Sequence, residues 1–388
     1  MYKRRILLLC IAHACLANNI QASISIDTRF GYANSRQSYV FDTQQTFTQF
    51  GQIIGDVELR GGLKATLDSE HCFLGMTPPI KGELQLVNGG ASVFYHIVND
   101  MTFGSVTFGG LSTNPVNNGI RTFDFIFTGS YSIRLQKDLF LSNLTSFLLE
   151  SSKGGILDGE GNKLTIDDTN ITTTFVPTLI RLNATGFPGA LTLKNISIEG
   201  IASDGNLSSN FVLSGSTQDI FFENVTLATY RSQLGFIQVL NNTFRYFGPN
   251  NVIGFGGTLE ISSTSLTPVT LFKIAKFGRV RVTPLTTLRL SSANASATVD
   301  FEDPTSELFL DNCTVDIGRY SNMSIKFLGG LVTIKGNVIF TNSSGPGSNN
   351  KLVLGDGVNP ANNCNIQILP GSKLIIDDNL RVVNMNIS

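Results

Sequence analysis

Short stretches in which apolar and polar residues alternate recur along most of the chain. In the string 191–198, Leu191, Leu193, Ile196 and Ile198 are apolar and the residues between them are mostly polar. A period of two is typical of a β-strand that buries one face. Because these stretches are short and are separated by Gly and Asn clusters, the pattern predicts many strands joined by tight turns, and therefore an all-β protein.

Several of these stretches follow one template: apolar, any, apolar, polar, Asn, apolar or small, polar, apolar. The clearest copies are 191–198, 220–227 and 308–315, and looser copies start at Leu164, Val332 and Leu374. Their spacings suggest a rung of about 22 residues with small insertions, each rung holding two or three short strands. Such a repeat predicts a parallel β-solenoid, since one rung cannot bury its own apolar row but a stack of rungs can.

The repeat divides the chain into three parts. We expect a signal peptide at residues 1–22, an N-terminal cap with the first rungs at 23–104, and the parallel β-helix itself at 105–388. The length allows roughly 14 to 16 rungs, a rod of about 70 Å at about 4.8 Å per rung. A short cap helix is predicted over 41–54, where a capping box begins at Asp42 and Phe47, Phe50 and Ile54 recur at helical spacing. A further strand is the alternative there.

The segment 1–22 has the layout of a secretory signal peptide. Three basic residues at positions 3–5 precede an apolar run, and small residues such as Ala17 or Ala22 offer a cleavage site. The run of about 12 residues is shorter than the roughly 20 that span a bilayer, and no later segment reaches that length. We expect a secreted, extracellular or cell-surface protein, in the outer membrane or periplasm if the source is bacterial. A membrane anchor, or a lipoprotein acylated at Cys15, is the alternative.

The chain is poor in charge, which limits its partners. Of its 388 residues 15% are charged, against roughly 25% in an ordinary soluble domain. Lys and Arg total 28, Asp and Glu total 29, and the net charge is −1. This balance provides no broad electrostatic attraction for nucleic acid or for an anionic membrane surface. We therefore expect no nucleic-acid partner and no transmembrane segment after the signal.

Asn occupies the corner position of the template at Asn195, Asn224 and Asn312, and a comparable position at Asn379. Asn tolerates the left-handed backbone angles of a tight corner between strands. Stacked Asn side chains can also hydrogen-bond along the axis of a solenoid. We therefore predict that these four residues form a structural Asn ladder, in preference to a ligand-binding role.

These repeats resemble those of a known superfamily. The style of 191–198, together with the string Gly-Ile-Leu-Asp-Gly-Glu-Gly-Asn-Lys-Leu-Thr-Ile at 155–166, is similar to the single-stranded right-handed parallel β-helix of the pectin-lyase-like superfamily and of bacterial surface passengers. A weaker resemblance is to polymorphic outer-membrane proteins, through Gly-Gly-aliphatic steps and the Phe-x-x-Asn string at 221–224. The resemblance implies a fold, and it allows either a surface rod or a carbohydrate-active enzyme.

The enzyme alternative needs carboxylates that converge on one face. The candidate acids are the pairs Asp167–Asp168 and Asp377–Asp378, each placed where a strand enters its turn. Adjacent strand residues point to opposite faces, so one member of each pair is expected to form the turn. The Gly-His-Gly and Arg-Ile-Lys motifs that the resemblance would supply to a polygalacturonase are absent from the sequence. No catalytic constellation is evident.

A lyase would instead need a basic residue and a calcium site. Arg279 and Arg281 share one face of a predicted strand, but only neighbouring rungs could supply acidic ligands. Asp158, Glu160 and Asn162 are spaced two apart, as in calcium loops, but lack the distal Glu of an EF-hand. We expect a solvated basic strip and a Gly-rich turn respectively. No cofactor or metal is predicted, with calcium kept as the one candidate.

Cysteine usage gives a separate test of the register. Cys313 and Cys364 occupy similar template positions, about two rungs apart. Two rungs exceed the roughly 7 Å Cα separation that a disulfide allows, so both are predicted to be free thiols. Taken together, the sequence predicts a structural or adhesive β-solenoid that contacts glycan or a surface protein, with a polysaccharide lyase or glycosidase as the alternative.

Overall fold

The computed structural model describes residues 37–41, 45–47, 51–59, 64–67, 71–75, 83–87, 93–97, 100–109, 121–141, 145–166, 180–201, 211–215, 218–229, 234–240, 243–254, 256–345, 347–356, 358–384 and 386–387. The predicted signal peptide at 1–22 lies outside the described residues. Within the described part, no helix has the length and apolar character needed to cross a membrane.

The described chain is built almost entirely of β-strands. Its first half contains β1 (Gln37–Phe41), β2 (Gln45–Phe47), β3 (Gly51–Leu59), β4 (Lys64–Leu67), β5 (His71–Gly75), β6 (Glu83–Val87), β7 (Val93–Ile97), β8 (Met101–Phe103), β9 (Ser105–Gly109), β10 (Arg121–Phe127), β11 (Ser132–Leu135), β12 (Leu139–Leu141), β13 (Thr145–Ser151), β14 (Gly155–Asp158), β15 (Lys163–Ile166), β16 (Ile180–Ala184) and β17 (Leu191–Ile201).

The second half continues in the same way. It contains β18 (Phe211–Gly215), β19 (Asp219–Thr229), β20 (Leu234–Val239), β21 (Thr243–Phe247), β22 (Asn251–Gly254), β23 (Gly257–Ser263), β24 (Val269–Ile274), β25 (Arg279–Val282), β26 (Thr286–Ser292), β27 (Ser296–Phe301), β28 (Glu307–Asp311), β29 (Thr314–Ile317), β30 (Ser324–Leu328), β31 (Leu331–Lys335), β32 (Asn337–Thr341), β33 (Lys351–Leu354), a 3₁₀ turn (Pro360–Asn362), β34 (Asn365–Ile368), β35 (Lys373–Ile376), β36 (Arg381–Val383) and β37 (Asn386–Ile387).

The strands stack in parallel and form a β-solenoid, which confirms the predicted fold class. Sheet 1 contains 14 strands: β1, β3, β5, β7, β10, β13, β16, β18, β20, β23, β26, β29, β32 and β35. Between successive strands of sheet 1, the chain of the later turns crosses sheet 2 and then sheet 3. The 14 strands of sheet 1 allow at most about 14 turns, the lower end of the 14 to 16 rungs predicted, and about eight of these turns form the regular solenoid.

Sheets 2 and 3 follow from the strand pairings. Sheet 2 contains β8, β11, β14, β21, β24, β27, β30, β33 and β36, and sheet 3 contains β12, β15, β22, β25, β28, β31, β34 and β37. The long strands β17 and β19 belong to both, because their first halves pair in sheet 2 and their second halves in sheet 3. The early strands β2, β4, β6 and β9 form a separate four-stranded sheet.

The core lies between the three sheets and is formed by alternate side chains of each strand. In β26 the inward residues are Leu288 and Leu290, and both are fully buried, as the period of two requires. Aromatic rings stack from turn to turn, for example Phe125 on Phe147 with ring centroids 4.9 Å apart. Each such side chain contributes about 1.5–3 kcal/mol on burial. The inward rows therefore hold successive turns together, while the outward rows are free to carry chemistry.

Two details of the predicted fold differ from the structure. At the described residues of 41–54 the structure has strands in place of the predicted cap helix, since Phe41 ends β1, Phe47 ends β2 and Ile54 lies within β3. These residues follow the alternative given above, a further strand. The rung is also longer than predicted, since Ile237 pairs with Ile261 and Ile339 pairs with Ile375 in sheet 1. Loops at the corners lengthen a turn without disturbing its strands.

The repeat alignment joined segments from different sheets. Leu191 pairs with Gly155 in sheet 2, whereas Leu308 pairs with Val280 in sheet 3. The template fits both because it describes any strand that ends in a left-handed corner. Cys313 and Cys364 likewise lie at different corners; both are buried free thiols, as predicted, but not because two rungs separate them.

Candidate functional site

Of the two predicted acidic pairs, the structure describes Asp377–Asp378. Asp377 follows β35, where its carboxylate accepts hydrogen bonds from the Thr341 hydroxyl (2.7 Å) and from the Asn379 backbone N–H (3.1 Å). These bonds, the one from Thr341 first, lower the pKa of Asp377. Asp378 is exposed beside it. A carboxyl that Thr341 of the preceding turn and the Asn379 N–H keep ionised is a poor proton donor. Asp167 and Asp168 lie outside the described residues.

The predicted basic pair is neutralised by the next turn. Arg279 and Arg281 point outward from β25, in sheet 3. Arg279 Nε lies 3.0 Å from Glu307 Oε2, and an Arg281 amine lies 2.6 Å from Asp311 Oδ2. Arg279 also covers the ring of Phe309 at 4.1 Å. Neighbouring turns therefore do supply acidic groups, but these groups bind the arginines directly.

The predicted Asn ladder is only partly assembled. Asn195, Asn224 and Asn312 have φ values of 50°, 54° and 47°, in the left-handed region. The Asn224 amide donates to Asn195 Oδ1 (3.2 Å), so these two stack at the corner between sheets 2 and 3. Asn312 lies at the corner between sheets 3 and 1, and Asn379 lies in the turn after β35. The four residues therefore occupy three different corners and do not make one ladder.

The calcium-like string also has other partners. Asp158 accepts hydrogen bonds from the Glu160 backbone N–H (3.1 Å) and the Asn195 amide (3.2 Å), and the Lys194 ammonium lies 3.2 Å away. A cation at Asp158 would have to compete with this ammonium. Among the described residues, no three His, Cys, Asp or Glu side chains are grouped so that they could hold a metal.

A row of charged side chains lies on the outer face of sheet 1. The row pairs Phe236 with Glu260, Glu260 with Arg289, and Arg289 with Asp316, one residue from each successive turn. Arg319, from the loop after β29, joins them. We call Glu260, Arg289, Asp316 and Arg319 the paired cluster. Two acids and two arginines balance in charge.

The acids of the paired cluster are held by several donors each. Arg289 Nε lies 2.7 Å from Asp316 Oδ2, and Arg289 Nη1 lies 3.6 Å from Glu260 Oε2. Arg319 Nε lies 3.0 Å from Glu260 Oε1, which also accepts from the Ser291 hydroxyl. The Glu260 side chain is completely buried. Burying a carboxylate is costly unless charged donors surround it, which the two arginines do.

Arg319 covers this row from outside. Its φ of 74° is strained for a residue with a side chain. Its guanidinium lies 5.3 Å from the ring of Phe236, three strands away along sheet 1. The next loop anchors this one, because the Asn350 amide and the Ser344 hydroxyl both donate to the Tyr320 carbonyl (2.8 and 2.9 Å). The paired cluster therefore pins a loop to the sheet.

A different arrangement lies further toward the N-terminus on the same outer face. Asp124 in β10 points outward between the buried Phe123 and Phe125. Its strand pairs with β13 so that Glu150 is its diagonal neighbour, opposite Ile126. Asn183 pairs with Glu150 in the following turn. We call Asp124 and Glu150 the acid pair.

The acid pair has no arginine in the place that Arg289 takes in the paired cluster. None of the described residues hydrogen-bonds to the buried Asp124 Oδ1 or Asn183 Oδ1. Glu260 Oε2 also accepts no hydrogen bond, but a guanidinium nitrogen of Arg289 lies 3.6 Å from it. The pKa of Asp124 is raised to about 6, mainly by burial and also by the charge of Glu150, while the charge of Arg181 opposes the shift. A carboxylic acid that stays protonated to about pH 6, next to a second carboxyl, can donate a proton.

The sequence contained a weak signal for the acid pair. Asp124 interrupts an apolar aromatic string, Phe-Asp-Phe-Ile-Phe at 123–127, and a charge in such a string is unusual. Its neighbour Glu150 comes from the next turn of the solenoid, so only the register of the strands reveals the pairing.

In comparisons with known protein families, curated proteins and solved structures, no match to the chain was found.

Proposed function

We propose that this protein is a structural or adhesive β-solenoid, secreted or displayed at a cell surface, which contacts glycan or protein along its long outer faces. Secretion rests on the signal-like sequence of residues 1–22. The absence of a catalytic motif in the sequence fits this role better than turnover does.

The observation that carries the proposal is that charged side chains of successive turns form ion pairs with one another. Arg279 binds Glu307, Arg281 and Lys335 bind Asp311, and Arg289 binds Asp316. Each pair links one turn to the next along the axis of the solenoid. These groups therefore strengthen the rod lengthwise, and their charges are not available to activate a substrate.

The experiment that tests this proposal compares binding with turnover. The purified chain is assayed on a glycan array and on immobilised surface proteins, and in parallel on a panel of uronans for unsaturated products and new reducing ends. We expect saturable binding without turnover. Turnover of any uronan at a catalytic rate would contradict the structural role.

The acid pair favours a second candidate, a carbohydrate-active enzyme of the pectin-lyase-like type. Protonated Asp124 would donate a proton to a leaving oxygen, and ionised Glu150 would act as the base or nucleophile on the same face. The burial of Asp124 supports this assignment, because it raises the pKa and keeps the acid protonated in mildly acidic solution.

Variants of the acid pair separate the two candidates. If the protein is an enzyme, Asp124→Asn and Glu150→Gln each abolish product release, whereas the matched control Asp378→Asn, in an exposed turn, leaves it unchanged. Activity that survives in both acid-pair variants would exclude this site. Absence of turnover in the unmodified chain on every substrate would exclude the enzyme.

A further inference from the structure

The outer face of sheet 2 alternates in charge over its early turns. The strand register pairs Arg134 with Asp158, Asp158 with Lys194, and Lys194 with Glu223. The Lys194 ammonium lies 3.2 Å from Asp158 Oδ2. Opposite charges on directly paired residues stabilise a sheet, so this part of the face supplies its own counter-charges.

The last described strands of the same sheet carry basic residues and no acid. Lys326 in β30, Lys351 in β33 and Arg381 in β36 point outward, because the apolar residues that alternate with them face the core. We call these three residues the C-terminal basic patch. Lys351 pairs directly with Arg381, and Lys326 is a diagonal neighbour of Lys351, opposite Val353. Like charges on paired strands about 4.8 Å apart destabilise a sheet, so the fold by itself does not favour this arrangement.

The C-terminal basic patch has no acidic partner within the described chain. From residue 241 onward, each Lys and Arg forms an ion pair with a described acid, except Lys326, Lys351, Lys373 and Arg381. In the adjoining corners, Asp356 accepts from the Asn362 amide (2.6 Å) and Asp377 from the Thr341 hydroxyl (2.7 Å). Asp378 is exposed beside Asp377 and forms no ion pair with the patch. The three basic groups therefore keep their hydrogen-bond donors for an anion from outside.

The arrangement of the patch indicates which anion it fits. Its basic groups recur once per turn along the axis of the solenoid, so a linear polymer with regularly repeated anionic groups meets one of them in each turn. The side chains between them are Ser324 and Val353, and the patch contains no aromatic ring on which a nucleobase could stack. Three basic residues also fall short of the roughly four to eight that bind an anionic membrane. These features favour an anionic polysaccharide.

We propose that the C-terminal basic patch binds an anionic polysaccharide that lies along the solenoid axis on the outer face of sheet 2. Arg381 is exposed and can hold a carboxylate or sulfate group with two parallel hydrogen bonds. Lys326 and Lys351 are partly exposed and act as point charges on the neighbouring groups of the polymer. This inference rests on the proposed function and deepens it, because it names the class of glycan and the face that binds it.

The test reverses the central charge of the patch. Titration calorimetry of the purified full chain uses heparin for sulfate, polygalacturonate for carboxylate and dextran as the uncharged polymer. We expect binding of at least one of the two anionic polymers, weaker at higher salt, and no binding of dextran. Lys351→Glu should weaken that binding by about tenfold or more, because it replaces an attraction by a repulsion. Its thermal midpoint should not fall, since the new carboxylate faces Arg381 as an opposite charge.

Lys373→Glu is the matched control, because Lys373 is exposed and also lacks an ion pair with a described residue, but lies in β35 of sheet 1. It changes the net charge equally and should leave the affinity within about twofold. If Lys351→Glu lowers the thermal midpoint, Lys351→Gln is read in its place.

Binding that survives in the Lys351 variant, or that Lys373→Glu weakens as much, overturns this inference and leaves the proposed function standing. A chain that binds no glycan and no surface protein contradicts the proposed function as well. Tighter binding of single-stranded DNA than of either polysaccharide, lost in Lys351→Glu, also overturns the inference and assigns the patch to nucleic acid.

Discussion

Asp124 and Asp311 are both buried, with 7% and 2% of their surfaces exposed. Their pKa values are nevertheless shifted in opposite directions from the usual value of an Asp side chain. The pKa of Asp124 is raised to about 6, mainly by burial and also by the charge of Glu150. Burial also acts to raise the pKa of Asp311, but hydrogen bonds from Arg281, Lys335 and Asn312 outweigh it and lower the pKa. Burial acts on both acids in the same direction, so the hydrogen-bond donors in the neighbouring turns decide whether the pKa of an outward acid ends above or below its usual value.

The same contrast separates two regions of sheet 1. In the paired cluster every acid lies against an arginine of another turn, so the charges hold turns and loops together. In the acid pair Asp124 Oδ1 accepts no hydrogen bond from the described residues, and the neighbouring Glu150 carries a charge of the same sign. A region in which acids lie against arginines is suited to support, whereas a region in which two acids are neighbours is suited to proton transfer or binding.

The largest expected effect comes from opening the paired cluster. Arg289→Met leaves Glu260 and Asp316 without their shared guanidinium, and removing one partner of a buried pair typically costs about 3 kcal/mol or more. The free energy of unfolding from urea titration measures this loss. Arg245→Met is the matched control, because the pair of Arg245 with Glu302 is part-exposed on both sides and methionine can still pack on the rings of Phe221 and Phe247 that Arg245 covers; it should cost less than about 1 kcal/mol. A cost equally small for Arg289→Met would mean that the cluster is not buried in solution.

The acid pair should appear in the dependence of stability on pH. The pKa of Asp124 is raised from 3.8 to about 6, so the folded chain holds this proton more tightly than the unfolded chain. Its contribution is therefore complete below about pH 4 and is lost as the pH rises through about 6. The loss should be on the order of 1–2 kcal/mol, because solvent screens part of the shift.

Asp124→Asn should remove this fall in stability between pH 4 and 6, as followed by thermal unfolding at a series of pH values. Asp311→Asn is the opposite control. The pKa of Asp311 is lowered, so that variant should be less stable than the wild type at neutral pH and approach it as the solution is acidified below about pH 4. Identical profiles for both variants would remove the distinction between the two regions.

A smaller effect is expected at an unpaired polar atom that no ligand can reach. Tyr246 is fully buried in the core, and its hydroxyl has no hydrogen-bond partner among the described residues. Tyr246→Phe removes that hydroxyl and should stabilise the chain by about 1 kcal/mol. Tyr320→Phe, at the partly exposed loop, should change stability by less than about 0.5 kcal/mol. Destabilisation by Tyr246→Phe would show that the hydroxyl does have a partner in solution.

The smallest effect is expected when Lys335, one of the two basic partners of Asp311, is removed. The Lys335 side chain is half exposed, and its partner Asp311 keeps Arg281 when Lys335 is removed. Lys335→Ala should therefore cost at most about 0.5 kcal/mol in urea unfolding. A loss above about 1 kcal/mol would mean that Lys335, and not Arg281, holds Asp311.

The template of 191–198 was enough to predict strands, left-handed corners at Asn195 and Asn224, and parallel stacking. It failed at 308–315, because the same string fits a corner of a different sheet. The helix predicted over 41–54 failed at the described residues for a related reason: a short apolar spacing cannot distinguish one helical face from apolar positions on consecutive short strands.

By itself the sequence determined the architecture of this protein, since a period of two and a recurrent corner residue are local properties that survive insertions of variable length. The site chemistry was decided by the tertiary structure. Whether Asp311 meets Arg281, and whether Asp124 meets Glu150 without an arginine in hydrogen-bonding reach, depends on the register between separate turns of the chain. Corner loops change the sequence separation of these partners from turn to turn, so only the folded stack brings them together.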